Sequence, residues 1–303
     1  ERLSKRDWGR ENNLPGFPHE VERIFSELPE NFDDDLFTKP DVHRRWIDVL
    51  TRRSVPGDMR KDDPDIWLRQ LDYYAKLHEL NDQCVGHVLS ALDDIDAWEN
   101  TIIVFTSDHG DQCGSHNLRS KGPWNYQETM RIPLYISAPG IVQPGSKTDS
   151  LTSHVDLART ILEFAGVEPA DHPTFVGESL SPVFENSSAK IRDYVLFNQE
   201  WPWYPGVEQC RYASSGIFDG INKYCRYYGL GGGFDTQGNQ NGEPEMLFGR
   251  DAAFDDHDHE MYDLQEDPHE LVNLAVDRSR RAEVRSKFSE LRSIEHEMYG
   301  NGF

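Results

Sequence analysis

A carboxylate and an imidazole stand side by side where an apolar segment of the sequence ends. Residues 101–106 are mainly β-branched and apolar, which predicts a buried strand, and Ser107, Asp108, His109 and Gly110 follow directly. Ligands and metal ions bind at the carboxyl edge of strands in open α/β sheets. Asp108 offers an oxygen ligand and His109 a nitrogen ligand, and Gly110 permits a sharp turn. These residues indicate a metal or ligand site, although a capped turn after a strand uses the same residue types.

Further polar residues and regular elements surround this turn. His116 and Lys121 follow it along the chain, and residues 132–137 form a second short apolar segment that predicts another strand. Upstream, apolar residues recur at roughly helical spacing from Ile66 to Leu92, which predicts a long amphipathic helix. The predicted order is helix, strand, acidic turn, basic loop and strand.

Four blocks of this sequence resemble, in order, the sulfatases of the alkaline phosphatase superfamily. They lie within residues 73–110, 114–134, 153–162 and 261–274. Their residues include Thr101 to Gly110, Gly114-Ser115-His116, Lys121, Arg131-Ile132-Pro133-Leu134, Ser153-His154-Val155-Asp156 and Met261-Tyr262-Asp263-Leu264. The resemblance extends from about residue 65 to residue 275. It identifies the chain as similar to type I, formylglycine-dependent sulfatases.

The resemblance implies an α/β fold in three parts. Residues 1–62 are expected to form a loop-rich excursion near the substrate, and residues 63–188 the C-terminal part of an alkaline-phosphatase-like sandwich of mixed sheet and helices. Residues 189–303 are expected to form a small α+β subdomain, an antiparallel sheet plus one helix. Expected elements are strands near 194–198, 211–215, 223–228 and 261–264, and helices near 155–165, ended by Gly166, and near 281–298.

The resemblance also implies roles for particular residues. Asp108 and His109 match positions that hold one divalent cation, usually Ca²⁺. Lys121 matches the lysine that contacts the sulfate oxygens and the leaving oxygen, and His116 is expected to line the same pocket. Sulfuryl transfer requires neutralised oxygens and a stabilised leaving alkoxide, and a metal ion and an ammonium group provide both. The implied activity is hydrolysis of sulfate esters, with a sulfated small molecule or glycan as substrate.

The nucleophile of the family is missing from this chain. Sulfatases use a formylglycine made in a C-x-P-x-R or similar motif, and none of the four cysteines has Pro or Ala two residues on and Arg four residues on. The early pair of metal-binding aspartates is also missing, because Asp33, Asp34 and Asp35 read as a polar loop. We therefore expect this chain to be the C-terminal portion of a longer sulfatase, with the formylglycine elsewhere, and to be inactive alone.

Two other functions remain open at this stage. A phosphodiesterase or phosphonate monoester hydrolase of the same superfamily would carry the same Asp-His pair. A non-catalytic binding or scaffold protein that kept this half of the fold is the alternative of another class. The missing nucleophile motif is the feature that would discriminate between the catalytic alternatives.

Composition restricts the partners. The chain of 303 residues has 31 Lys and Arg against 54 Asp and Glu, a formal net charge of −23. That charge argues against nucleic acid as a partner, because phosphate backbones require basic surface. A sulfated glycan would need a local basic pocket or a metal ion to offset the acidic field. No apolar segment approaches membrane-spanning length. The family resemblance favours a secreted or periplasmic location.

Several residues have both a functional and a structural interpretation. Trp8, His19 and His43 could contact substrate or pack in the protein, and the aromatic segment Trp201 to Pro205 could stack on sugar rings or pack as a loop. Asp255 to His259 could bind a metal, but a solvated turn is favoured.

His154 is interpreted as a packed, hydrogen-bonded residue and Asp156 as a first-turn helix charge. Cys210 and Cys225 could form a disulfide across a hairpin, which the sequence cannot decide.

Overall fold

The computed structural model describes residues 21–53, 63–167, 176–199, 210–230 and 249–299. In chain order, the helices of these segments are α1 (Asp41–Arg53), α2 (Pro64–Asp94), α3 (Gln127–Met130), α4 (His154–Phe164), α5 (Ser181–Glu185) and α6 (Arg281–Tyr299). The strands are β1 (Ile103–Thr106), β2 (Leu134–Ser137), β3 (Val195–Gln199), β4 (Arg211–Phe218), β5 (Asn222–Leu230) and β6 (Asp258–Asp263).

The helix and the two strands predicted around the acidic turn are present. Helix α2 begins where the Asp63 side chain accepts a hydrogen bond from the backbone NH of Ile66, at 3.3 Å, and Pro64 suits a first helical turn. Strands β1 and β2 pair antiparallel, with Thr106 opposite Leu134. The second strand was predicted from residue 132 but starts at Leu134, because Pro133 has no NH for the ladder.

Helix α1 lies in the part of the chain that was expected to be loop-rich. It follows Pro40, and its first turn contains Asp41, both favourable at a helix start. Its buried face carries Val42, His43 and Trp46. These side chains pack in a core that includes Leu118, Trp124, Tyr126, Cys225, Tyr227 and Tyr262. The helix therefore joins the N-terminal segment to the C-terminal sheet.

The C-terminal part has the predicted antiparallel sheet and helix. Its strands follow the order β3-β4-β5-β6, each antiparallel to its neighbour. One face of the sheet packs on α6 through Tyr224, Met261, Phe288 and Leu291. The opposite face contributes to the core shared with α1. Because both faces are covered, residues 212–217 of β4 are all buried.

The start of α4 is a capping box. The Ser153 and Asp156 side chains each bond the backbone NH of the other residue, as in other capped helices. Asp156 was interpreted as a first-turn helix charge, and it is also completely buried. It accepts a hydrogen bond from the backbone NH of Glu178 at 2.8 Å and forms an ion pair with Arg192. Gly166, with φ of 71°, follows the last turn of the helix as predicted.

All four cysteines are free thiols, and Cys210 and Cys225 are buried. The disulfide that the sequence left open between these two residues is therefore not formed. Among the residues that the structure describes, no helix is both long enough and apolar enough to cross a lipid bilayer.

Candidate active site

Asp108, His109 and Lys121 meet just beyond the end of β1. The Nζ atom of Lys121 lies 2.5 Å from Nε2 of His109, and that nitrogen lies 3.4 Å from Oδ2 of Asp108. Asp108 and Lys121 are exposed, and His109 is partly buried. The structure thus brings together three side chains that the sequence predicted to share one site.

The backbone decides which nitrogen of His109 faces the other two residues. Nδ1 lies 2.7 Å from the carbonyl oxygen of Gly110, which can only accept, so Nδ1 carries a proton and donates. On a neutral ring, Nε2 then presents its lone pair, and the Lys121 ammonium donates to it. Metal-binding histidines are held in the same way, by a hydrogen bond from the nitrogen that does not bind the metal.

The Asp108 carboxyl is solvent-exposed and readily ionised. The backbone NH of His109 donates to its Oδ1 at 2.9 Å. That hydrogen bond, helped by the nearby His109 and Lys121 side chains, lowers the pKa of the Asp108 carboxyl below its ordinary value. The carboxylate is therefore in the form that binds a cation at neutral pH.

The backbone beyond the tip of β1 is held by hydrogen bonds on two sides. Gly110 donates its NH to the carbonyl oxygen of Thr129 at 2.9 Å. A Cβ at Gly110 would lie 1.9 Å from the carbonyl oxygen of Glu128, so only glycine permits this close approach. On the other side, Nε2 of His154 donates to the carbonyl oxygen of Ser107 at 2.7 Å. His154 is hydrogen-bonded, as expected, but exposed rather than packed.

His116 lies apart from the exposed group of side chains. Its side chain is fully buried, and its Nδ1 lies 2.7 Å from Oδ2 of Asp34. Its Nε2 lies 3.1 Å from Nδ2 of Asn31, and its ring stacks on Tyr126 with centroids 3.8 Å apart. Both ring nitrogens are therefore engaged inside the protein. This geometry differs from the expectation that His116 lines a substrate pocket.

The two candidate ligand atoms of Asp108 and His109 lie close together. Cation–oxygen distances typical of Ca²⁺, at about a right angle, place neighbouring ligands roughly 3.3–3.7 Å apart. The separation of 3.4 Å between Oδ2 of Asp108 and Nε2 of His109, an oxygen and a nitrogen, lies in the same range. Within the described segments, no group of three or more His, Cys, Asp or Glu residues could hold a metal ion. Asp108 and His109 are therefore two donor groups and not a complete metal site.

Other candidate residues lie elsewhere in the fold. His43 is buried in α1, with Nδ1 2.9 Å from the hydroxyl of Tyr126, which agrees with the packing interpretation. The segment from Asp255 to His259 is not a solvated turn throughout, because His257 is buried. The ring of His257 packs on Phe288. In the sequence, the polar residues around His257 do not indicate this apolar contact. The aromatic segment Trp201 to Pro205 lies outside the described residues.

Sequence reasoning missed the partners that hold the Lys121 loop. Asp34 was interpreted as part of a polar loop, yet its carboxylate is almost buried and bonds His116. Asp111 was given no role, and its Oδ1 accepts hydrogen bonds from the backbone NH groups of Cys113 and Ser120, each at 2.9 Å. Both aspartates accept a hydrogen bond from the backbone NH two residues further on, which is an Asx-turn pattern. That local pattern does not indicate the bond of Asp34 to the distant His116.

Two curated proteins show how far the similarity extends. An uncharacterized sulfatase, YidJ, of Escherichia coli K12 is 29% identical over 264 residues, which is 87% of this chain and 44% of that protein. The N-acetylglucosamine-6-O-sulfatase of Bacteroides thetaiotaomicron is 29% identical over 273 residues, 88% of this chain and 42% of that protein. The chain spans less than half the length of these curated relatives.

Solved structures share the fold at lower identity. A putative sulfatase of Bacteroides thetaiotaomicron superposes with a TM-score of 0.67 and 22% identity, over 93% of this chain and 54% of that one. The phosphonate monoester hydrolase of Agrobacterium radiobacter gives a TM-score of 0.60 and 22% identity, over 80% of this chain and 45% of that one. The chain therefore has part of an alkaline-phosphatase-like fold.

Two family profiles match the sequence itself. The profile of the N-sulphoglucosamine sulphohydrolase C-terminal region matches residues 114–237. The Sulfatase profile matches residues 15–167, about half of the chain, and this match includes β1, the acidic turn and Lys121. The chain belongs to the sulfatase family of the alkaline phosphatase superfamily.

Proposed function

We propose that this chain supplies one side of a sulfatase active site, and that the full-length protein hydrolyses sulfate esters. The observation that supports this most directly is the convergence of the Asp108 carboxylate and the Lys121 ammonium on His109. In sulfuryl transfer the sulfate oxygens must be neutralised and the leaving alkoxide must be stabilised. A cation-binding pair beside an exposed ammonium group suits both needs.

Lys121 would bind the substrate directly. Its side chain is exposed, so the ammonium can move from Nε2 of His109 to a sulfate group while keeping its charge in the site. There it would donate hydrogen bonds to the sulfate oxygens and to the leaving oxygen. A donor of this kind acts most strongly where negative charge develops in the transition state.

Asp108 and His109 would hold one divalent cation. Sulfatases are in general metal-dependent, and a carboxylate of lowered pKa beside an imidazole nitrogen suits a divalent cation. We propose Ca²⁺, since the carboxylate supplies the hard oxygen ligand that this ion prefers. When bound, the cation would supply Lewis-acid polarisation of a sulfate oxygen. We assign no nucleophile to this chain, and we propose that a formylglycine is contributed by another part of the protein.

A sulfated carbohydrate is the proposed substrate class. The similarity to an N-acetylglucosamine-6-O-sulfatase supports this choice. The net charge of −23 requires that a sulfated glycan be attracted by local positive charge, which Lys121 and a bound cation would provide. A secreted or periplasmic location is the corresponding proposal, because the resemblance to sulfatases favours it.

Hydrolysis by the full-length protein tests this proposal. We expect release of sulfate from 4-nitrophenyl sulfate and from glucosamine 6-sulfate. Lys121→Ala should lower kcat by about 100- to 1000-fold, the usual effect of removing one transition-state donor. Lys147→Ala, which removes an exposed lysine from the loop after β2, is the matched control and should leave kcat unchanged. Near-normal turnover by Lys121→Ala would contradict the assignment.

A phosphonate monoester hydrolase or phosphodiesterase is the second candidate. Its support is the fold shared with the Agrobacterium enzyme. The same assay, run with phenyl phosphonate monoesters and bis(4-nitrophenyl) phosphate, distinguishes this candidate function from the sulfatase. Faster turnover of these phosphorus substrates, with sulfate esters left intact, would replace the sulfatase proposal. No turnover of any of these substrates would favour the binding or scaffold function.

A further inference from the structure

We infer that the buried Asp34–His116 pair positions Lys121, and that His116 acts through this lysine rather than on the substrate. This inference rests on the proposed function, because it assumes that Lys121 binds sulfate. It begins with the loop of residues 111–120, which connects the tip of β1 to Lys121.

The loop has a backbone conformation that it would not adopt unaided. Cys113, His116, Asn117 and Ser120 have φ values of 47°, 56°, 55° and 61°, in the left-handed region that residues other than glycine avoid. Four such residues in one short loop are costly, so further contacts, within the loop and to other segments, must hold it in place. The position of Lys121 depends on these contacts.

One set of contacts closes the loop directly before Lys121. The Oδ1 atom of Asp111 accepts hydrogen bonds from the NH groups of Cys113 and Ser120, each at 2.9 Å. The NH of Gln112 donates to the carbonyl oxygen of Ser120 at 3.0 Å. Both polar groups of the Ser120 backbone are therefore fixed. The Cα atom of Lys121 is one residue further along the chain.

A second set anchors the middle of the loop to the N-terminal segment. The backbone NH of His116 donates to the carbonyl oxygen of Asn31 at 3.1 Å. Its ring donates from Nδ1 to Asp34 and stacks on Tyr126. No part of the His116 side chain is exposed, so it cannot touch a substrate held by the exposed Lys121. It can act only by holding the loop.

The hydrogen-bond network gives His116 one orientation. Nδ2 of Asn31 lies 2.9 Å from Oε1 of Glu128 and 3.3 Å from the carbonyl oxygen of His269, both acceptors. The amide nitrogen of Asn31 therefore faces Nε2 of His116 as well, and its two hydrogens are shared among these three acceptors. Nδ1 must then carry the proton that it donates to Asp34.

The charge of Asp34 is maintained despite its burial. Burial alone would raise the pKa of the Asp34 carboxyl, but hydrogen bonds from His116 and from the backbone of Leu36 lower it below the ordinary value. The Nζ atom of Lys39, 3.9 Å from Oδ2, acts in the same direction. An ionised carboxylate is a stronger acceptor than a neutral group, so the pair holds the loop firmly.

A double-mutant cycle in the full-length protein tests this role. We expect His116→Ala to lower kcat for a sulfate ester by about 10- to 100-fold, by analogy with the loss seen when a residue that orients a metal ligand is removed. KM should change by less than about threefold, since the substrate pocket itself is intact. In the Lys121→Ala background, the same substitution should lower kcat by less than about threefold, because effects through one group are not additive.

The leaving group provides a readout that a loss of fold would not produce. If His116 acts through Lys121, its removal should slow an alkyl sulfate more than 4-nitrophenyl sulfate. The alkoxide released from an alkyl sulfate is the poorer leaving group, so its departure depends more on stabilisation by the Lys121 ammonium. His116→Asn, which tolerates left-handed φ and still donates a hydrogen bond, should restore most of the kcat. His87→Ala, on the exposed surface of α2, is the matched control and should have no effect.

If His116→Ala fails to fold, Asp34→Asn is the alternative variant, because it keeps the shape of the buried pair. It should lower kcat in the same direction, again without further loss in the Lys121→Ala background. Full, multiplied losses in the double variants would overturn the positioning role while leaving the sulfatase proposal intact. Wild-type turnover by Lys121→Ala would overturn both, so the two failures can be distinguished.

Discussion

The Lys121 ammonium and the His109 imidazole share one hydrogen bond, with Nζ and Nε2 2.5 Å apart. The Nε2 lone pair can serve one partner at a time, either this ammonium or a cation. Because Nδ1 of His109 is tied to the carbonyl oxygen of Gly110, the ring cannot turn to serve both. On the proposed function, lysine and cation would be alternative partners of one atom, which would link sulfate binding by Lys121 to metal binding by His109.

The close backbone approach at Gly110 predicts a large stability effect. A Cβ there would lie 1.9 Å from the carbonyl oxygen of Glu128, so Gly110→Ala must separate two backbone segments. We expect a loss of about 1–3 kcal/mol or more in the free energy of unfolding, as for other overpacked sites. Urea unfolding measures this loss.

Gly86→Ala is the matched control for that substitution. Gly86 lies within α2, and a Cβ there would meet nothing within 4 Å. Alanine in a helix should then stabilise the protein by about 0.5–1 kcal/mol. If Gly110→Ala were as well tolerated as Gly86→Ala, the packing of the β1 tip described above would be wrong.

Buried neutral histidines predict a loss of stability in mild acid. Burial lowers the pKa of His43 to about 4 and that of His257 to about 4. In the unfolded chain both titrate near the ordinary value of about 6.5. Between these values the unfolded state binds more protons, so stability is complete above about pH 6.5 and falls as pH decreases toward 4. Each histidine contributes up to about 1.4 kcal/mol per pH unit.

Urea midpoints at pH 7.5, 6.0 and 5.0 would measure this dependence. The raised pKa of the buried Glu270 carboxyl, caused chiefly by its burial, acts in the opposite direction. The comparison with His257→Gln isolates the histidine, because glutamine cannot take up the proton. A pH dependence as steep in this variant as in the wild type would contradict the prediction.

The buried ion pair between β5 and α6 predicts a third effect on stability. Arg226 is completely buried, and its Nη2 lies 2.5 Å from Oε2 of Glu295. The other carboxylate oxygen of Glu295, Oε1, accepts a hydrogen bond from the Ser215 hydroxyl. Glu295→Ala would leave the guanidinium buried without its partner. We expect a loss of about 3–5 kcal/mol, the cost of breaking a buried pair from one side.

Glu290→Ala, on the same helix, is the control for this prediction. Glu290 pairs with Lys287 at the surface, where an ion pair contributes about 0–1 kcal/mol. Thermal or urea unfolding of the two variants gives the comparison. Equal stability of the two variants would show that the pair between Arg226 and Glu295 does not stabilise the fold as proposed.

The elements around the site were predictable because their signals are local. Residues 101–106 and the strands of the C-terminal sheet have apolar, β-branched patterns of strand length, and α2 has helical spacing. Asp108 and His109 could be placed at a strand tip for the same reason. The role of Lys121 came from the resemblance to sulfatases, and the structure then brought it to His109.

Features that depend on distant contacts were not predictable. Helix α1 follows a proline and carries several charges, so its burial becomes clear only once Trp46 packs on Trp124. Asp34 bonds His116 across 82 residues, and nothing near Asp34 in the sequence indicates it. His257 lies among acidic residues that suggest solvent, but it packs against Phe288. In each case tertiary packing outweighs the local pattern.

Calcium affinity of the full-length protein, measured by titration calorimetry after removal of metal, tests the central claim most directly. Asp108→Ala should weaken Ca²⁺ binding at least about 10-fold, since even residues that only support a ligand have effects of this size. Asp149→Ala, which removes an exposed carboxylate, should bind as the wild type does. Lys121→Ala should bind Ca²⁺ at least as tightly, because it removes the competing partner of His109. Unchanged Ca²⁺ affinity in Asp108→Ala would contradict the account.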